Sequence, residues 1–399
     1  MKPIIVIGTG LAGYTVAREF RKLDKITPLV LITGDAGGFY SKPMLSNAFA
    51  QGKQAAQLIT QTAEQMAAQL DARIVTRTRV TRIDSTARTV DTTAGHFDYD
   101  KLVIAVGAQP IRLAIAGDAA DQVLSVNNID DYVAFRARLA MPDLRAARVT
   151  ILGAGLIGCE FADDLAGGGH AVTLVDPNAL PLAALASPAL SSGLHAALTA
   201  RGVALRLGTT AATINRTDAG LHITLADGSA VDTDIILSAV GLRPDTTLAQ
   251  AAQLKTGRGI VVDASGETSA PAIYAVGDCA EYTMDGDGTT RILPYIAPLM
   301  AAARAIAKTL TGVKTVIDMK HAPVIVKTPS YPLALVAPAP HLVAGGTWHE
   351  VEEDGRTIAR FYDAQGMLLG FGVAPHESGV RQGLLSALGS ISLDRVKVF

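Results

Sequence analysis

Two glycine turns of the form Gly-x-Gly-x-x-Gly are the first residues here whose spacing could do chemistry: Gly8-Thr9-Gly10-Leu11-Ala12-Gly13 and Gly153-Ala154-Gly155-Leu156-Ile157-Gly158. In such a turn the first glycine bends the chain, the second lets a pyrophosphate approach the backbone, and the third lets a helix pack on a strand. The helix that follows offers free N–H groups and the positive end of its dipole to the phosphates. After the second turn, Asp176 stands where the next strand ends. A carboxylate there accepts hydrogen bonds from both hydroxyls of an adenosine ribose and repels a 2′-phosphate, which favours NADH over NADPH. After the first turn the equivalent position is Thr33, followed by Gly34 and Asp35. Either Asp35 reaches the ribose or backbone groups replace the carboxylate. A third stretch, TSAPAIYAVGDCAE, places Gly277-Asp278 behind an apolar run. The stretch GGFYSKPMLSNAF (37–49) holds Ser41, Lys42, Pro43 and Ser46 but no sulfur nucleophile.

The elements that must position these residues follow one plan, used twice. PIIVIGTGLAGYTVAREFRKL and ITPLVLIT spell strand, turn, helix and strand, as does ARVTILGAGLIGCEFADDLAGGGHAVTLVDP. Each βαβ unit leads into an alternating antiparallel meander, then a buried returning strand that ends on a glycine, Gly107 or Gly241. The repeat predicts an α/β chain with two Rossmann-like nucleotide-binding domains. APLMAAARAIAKTLTG (297–312) predicts a helix with Pro298 near its start and Gly312 as its stop. TMDGDGTT (283–290) predicts a plain hairpin, lacking the glutamate of a calcium loop. From about Val316 onward, short strands and a final amphipathic piece, ESGVRQGLLSALGS, predict a smaller C-terminal α+β domain.

Bulk properties narrow the function. With 49% hydrophobic and 18% charged residues, a net charge of −2 and no block of like charges, the chain reads as soluble and globular, with no nucleic-acid partner. Two cysteines, Cys159 and Cys279, exclude a disulfide framework, and the scattered histidines suggest no metal site. No uninterrupted apolar run is long enough to span a bilayer, and the N-terminus lacks a secretory pattern. No membrane insertion and a cytoplasmic location are the expectation.

The three ordered motifs resemble those of the FAD-dependent pyridine nucleotide reductases, the family of ferredoxin and rubredoxin reductases, apoptosis-inducing factor and the glutathione-reductase-like disulfide enzymes. The resemblance covers the whole chain. It implies a discontinuous FAD-binding domain (1–111 and 242–315), an inserted NAD-binding domain (112–241) and a C-terminal domain (316–399). IGTGLAGY, YSKPMLS, LGAGLIGCEFADDL, SAVGLRP, IYAVGDCAE, PLMA and VKTP lean toward the branch that reduces rubredoxin, or the similar flavorubredoxin. Lys42 and Asn47 stand where ferredoxin reductases usually carry arginine and lysine, so the lean is away from ferredoxin. The alternatives are a ferredoxin or flavorubredoxin reductase, or a redox-sensing flavoprotein with slow turnover.

By that resemblance the cofactors are FAD and NADH, and the partner is rubredoxin, a small iron electron carrier. Asp278 would accept a bond from a ribityl hydroxyl. The helix beginning near Pro298 would face the flavin pyrimidine, and Val80 and Ile296 would touch the cofactor through backbone atoms. Lys42, Glu160 and Lys327 are the expected catalytic residues, with a Lys–Glu pair beside flavin N5. The disulfide reductases of the family need a cysteine pair near Tyr40–Pro43, which is missing here, so electrons would leave the flavin directly. Cys159 and Cys279 match no redox position and are expected to be packing residues. Rubredoxins are usually acidic, which implies a basic surface, with Lys320, Lys327 and Arg304 as candidates.

Overall fold

The structure is a computed structural model that describes residues 1–141, 146–283 and 289–391. Most of the 283–290 hairpin expected from sequence lies outside the described residues. The chain divides into two compact units. One comprises residues 1–42, 56–109 and 242–320, the other residues 43–55, 110–241 and 321–399.

The first unit is built on a five-stranded parallel sheet in the order Ile273–Ala275, Lys101–Ile104, Ile4–Ile7, Leu29–Ile32, Arg73–Val75. Ile4 pairs in register with both Leu29 and Lys101. The IIVI and LVLI strands are buried at every position, as a sheet covered on both faces demands. Helix Leu11–Leu23 packs against helix Ile296–Leu310, whose alanines allow close approach. The first meander is Val80–Asp84, Thr89–Thr92 and Gly95–Asp98.

The second unit repeats the plan. Its parallel sheet runs Val123–Ser125, Ile235–Ser238, Arg148–Leu152, Ala171–Asp176, Ala204–Leu207. Its meander is Ala211–Thr217, Gly220–Leu225 and Ala230–Thr233. The same unit holds an antiparallel sheet of Val324–Val326, Leu333–Val336, Leu368–Ala374, Arg356–Tyr362 and Thr347–Glu353, with helix Ser378–Ala387. Helix Pro188–Ala200 packs on it. Leu190 fills the space where a side chain on Gly372 would stand, 2.4 Å from an added Cβ. The α/β class and the α+β character of the C-terminal part agree with the sequence expectation.

Candidate dinucleotide and redox site

The two glycine turns have nearly the same geometry. Gly8 and Gly153 sit at φ +106° and +105°, a region costly for any residue with a side chain. An added Cβ on Gly13 would lie 2.0 Å from the Gly8 carbonyl oxygen, and one on Gly158 would lie 1.8 Å from that of Gly153. These glycines are therefore required for helix to meet strand. Gly10 and Gly155 differ: an added Cβ on either meets nothing within 4 Å. Each is the N-cap of its helix, and neither helix start has a side-chain cap. Open space faced by uncapped N–H groups is what a pyrophosphate needs, so the residues fit a dinucleotide in both units. Leu11 and Leu156 at the two helix starts are half-buried and Ile157 is exposed, while Ala12 is buried beside Gly277.

In the first unit Asp35 gathers the turn. It accepts from Thr33 Oγ1 (2.8 Å), Gly37 N (2.8 Å) and, weakly, Thr9 Oγ1 (3.4 Å). Gly34 is exposed, and an added Cβ there meets nothing. In the second unit Asp176 Oδ2 accepts from Ala154 N at 2.6 Å, and Oδ1 accepts from Asn178 N and Nδ2, both 2.8 Å. The carboxylate thus clamps the second turn, and roughly one of its four acceptor positions is left for a ligand hydroxyl.

Gly277 has φ +79°, and an added Cβ would lie 2.9 Å from that of Ala12. Its neighbour Asp278 is half-buried, with Lys42 Nζ 4.0 Å from its carboxylate. Gly107 (φ +73°) follows the returning strand of its unit, and Gly241 (φ +115°) follows that of the other. Val80 is buried at the start of the first meander, and Ile296 is half-exposed at an uncapped helix start.

Glu160 lies within the helix Leu156–Gly167 and is fully buried. Lys327 makes an ion pair with its Oε2 and donates its own backbone N–H to Oε1 at 2.9 Å. Ser46 Oγ donates to Oε2 at 2.5 Å and stands 3.3 Å from Lys327 Nζ. Burying a carboxylate is costly without such partners. The expected Lys–Glu pair is therefore Lys327–Glu160, while Lys42 pairs with Asp278. Lys327 is correspondingly no free surface cation. Lys320 is strongly exposed beside Asp318, and Arg304 is exposed.

Both cysteines are sealed in the cores of different units. Cys159 Sγ points at the Ala154 carbonyl (3.3 Å) and Cys279 Sγ at that of Val276 (3.4 Å). Burial raises both thiols, Cys279 to about 11, and raises Cys159 further. Neither is a thiolate at neutral pH.

Three side chains escaped the sequence reading as site components: Ser46, Asp163 and Asp164. The two aspartates stand three and four residues after Glu160, the spacing that puts residues on one helix face. Acids in an otherwise apolar helix against a parallel sheet were the available signal. Among the described residues no cluster of His, Cys, Asp or Glu could hold a metal, and no helix is long and apolar enough to cross a membrane.

Comparison with known proteins agrees with this geometry. A family model described as pyridine nucleotide-disulphide oxidoreductase matches residues 2–306, and one described as rubredoxin binding C-terminal domain matches residues 317–388. The rubredoxin-NAD(+) reductase of Alcanivorax borkumensis is 46% identical over 373 residues, covering 93% of this chain and 94% of its own. That of Acinetobacter baylyi is 42% identical over 377 residues, covering 93% of each. The crystal structure of a ferredoxin reductase from Rhodopseudomonas palustris is 27% identical, with a TM-score of 0.84 over 94% of this chain and 91% of that one.

Proposed function

We propose an NADH-dependent rubredoxin reductase: the chain belongs to the pyridine nucleotide-disulphide oxidoreductase family, and its C-terminal part belongs to the rubredoxin-binding domain family. The observation that carries the reading is the sealing of both thiols in a chain with two dinucleotide turns and a carrier-binding domain. FAD, when bound, supplies the conversion of a two-electron hydride donor into single electrons, which an iron carrier needs. Residues 1–111 and 242–315 are assigned to FAD, 112–241 to NADH and 316–399 to the carrier.

In this reading Thr9 to Gly13 hold the FAD pyrophosphate at the helix start, and Asp35 orders that turn through Thr33 and Gly37. Lys42 and Asp278 form a charged pair that orients the ribityl chain. The uncapped helix start at Ile296 contributes on the order of 1 kcal/mol toward negative charge on reduced flavin. Gly153 to Gly158 hold the NADH pyrophosphate. Asp176 faces the adenosine ribose and disfavours a 2′-phosphate by charge repulsion. Glu160 and Lys327 are the catalytic residues of this reading, a charge pair held ready for the redox step. A cytoplasmic location is part of this reading.

The test is anaerobic mixing of the flavin-loaded protein with NADH or NADPH, followed by carrier reduction. Fast bleaching by NADH, slow bleaching by NADPH and fast rubredoxin reduction are expected. Equal rates with the two nucleotides would remove the role of Asp176. Reduction of ferredoxin in preference to rubredoxin would remove the carrier.

A further inference from the structure

Helix Leu156–Gly167 buries three carboxylates within five residues: Glu160 at 0%, Asp163 at 0% and Asp164 at 5% exposure. Each would cost several kcal/mol unpaired, and packing alone would be served by apolar residues. Apart from Arg201, their partners come from two segments that the sequence keeps far apart. Asp164 accepts from Phe49 N (2.8 Å) and Ala50 N (2.9 Å). Asp163 accepts from Ser330 N (3.0 Å) and Arg201 Nε (3.0 Å). Glu160 takes Ser46 from the first segment and Lys327 from the second.

The attachments are local to the two residues that meet on Glu160. Ser46 lies three residues before Phe49, and Lys327 lies three before Ser330. The second segment is a closed turn: Tyr331 N donates to the Thr328 carbonyl (3.0 Å), and Thr328 Oγ1 donates to that of Tyr331 (2.8 Å). The first is closed by Gly52 N on the Phe49 carbonyl (2.9 Å), and the Arg136 guanidinium lies 4.5 Å over the Phe49 ring. Fixing Phe49 and Ser330 on one helix therefore fixes where the Ser46 hydroxyl and the Lys327 ammonium arrive.

We infer that Asp163 and Asp164 are positioning residues, which set Ser46 and Lys327 on the Glu160 carboxylate by anchoring the backbone just beyond each. The inference rests on Glu160 and Lys327 acting at the redox site, as proposed above.

A double-mutant cycle on the flavin-loaded protein tests it, with amide exchange as a second readout. Asp164→Asn keeps the shape, but its amide group faces one of the two backbone donors. Exchange at Phe49 and Ala50 should accelerate at least tenfold. Flavin reduction by NADH should slow about tenfold with NADH affinity changed less than twofold. In an E160Q background the same substitution should cost less than twofold more, because it acts through that carboxylate. A full tenfold loss in both backgrounds would overturn the inference, as would faster exchange with an unchanged reduction rate. If E160Q alone leaves reduction untouched, the reading of Glu160 falls and the inference with it; if E160Q slows reduction and D164N does not, only the inference falls. Should D164N lose its flavin, Asp163→Asn with exchange at Ser330 runs the same cycle.

Discussion

Glu160 and Lys327 show how an ion pair on a buried carboxylate sets expectations at the residue scale. Removing one partner of such a pair leaves an uncompensated charge and costs about 3–5 kcal/mol, whereas neutralising both costs far less. Lys327→Met should therefore lower stability by about 3 kcal/mol, and K327M with E160Q should recover half or more of it in urea unfolding. No recovery would mean that the ammonium is not the partner of Glu160. Asp164 gives a pH test. Burial, only partly offset by the Ala50 and Phe49 N–H groups, raises its carboxyl from 3.8 to about 6. The folded chain then binds more protons than the unfolded one between about pH 4 and 6, so this group's contribution falls as pH rises through that window. The full difference approaches about 3 kcal/mol by pH 7. Asp164→Asn should flatten that slope in pH-dependent unfolding, and an unchanged slope would contradict the shift.

The glycine turns make the test at the element scale. Gly158→Ala must push the helix off its strand, since a methyl would stand 1.8 Å from the Gly153 carbonyl oxygen. Gly155→Ala meets no protein atom within 4 Å and places its methyl in the space assigned to pyrophosphate. Gly155→Ala should melt like the parent while weakening NADH binding at least tenfold, and Gly158→Ala should lose stability as well. Equal NADH affinity in Gly155→Ala would remove the nucleotide from that turn. These turns were legible in sequence because positive φ and close helix–strand approach admit little but glycine. The IIVI and LVLI strands were legible because burial on both faces leaves a continuous apolar run. The docking of residues 43–55 was not, because Phe49 and Ala50 are held by backbone N–H groups, which every residue type except proline carries. Lys327 was legible as a charged position but not as one held in an ion pair by a buried carboxylate. Its neighbours Val326 and Thr328 fit an edge strand as well as a docked one, and only the fold brings Glu160 to it.

At the scale of the molecule, the carrier must find a surface and electrons must leave the protein. With Lys327 held by Glu160, the exposed cations left from the expected basic surface are Lys320 and Arg304. Lys320 stands 3.1 Å from Asp318, an exposed pair worth at most about 1 kcal/mol, so its charge remains available to an acidic partner. Lys320→Glu with Arg304→Glu should cut kcat/KM for rubredoxin about tenfold at low salt and flatten its salt dependence, leaving flavin reduction by NADH unchanged. A salt response like the parent's would place the docking surface elsewhere. The central claim is that no thiol stands between nicotinamide and carrier, and the Cys159→Ala/Cys279→Ala double variant tests it most directly. Mixed anaerobically with NADH and excess rubredoxin, it should reduce two carriers per NADH at a rate within about twofold of the parent, because both sulfurs are buried and protonated. A variant that keeps its flavin and is bleached by NADH, yet passes nothing to rubredoxin, would contradict the account.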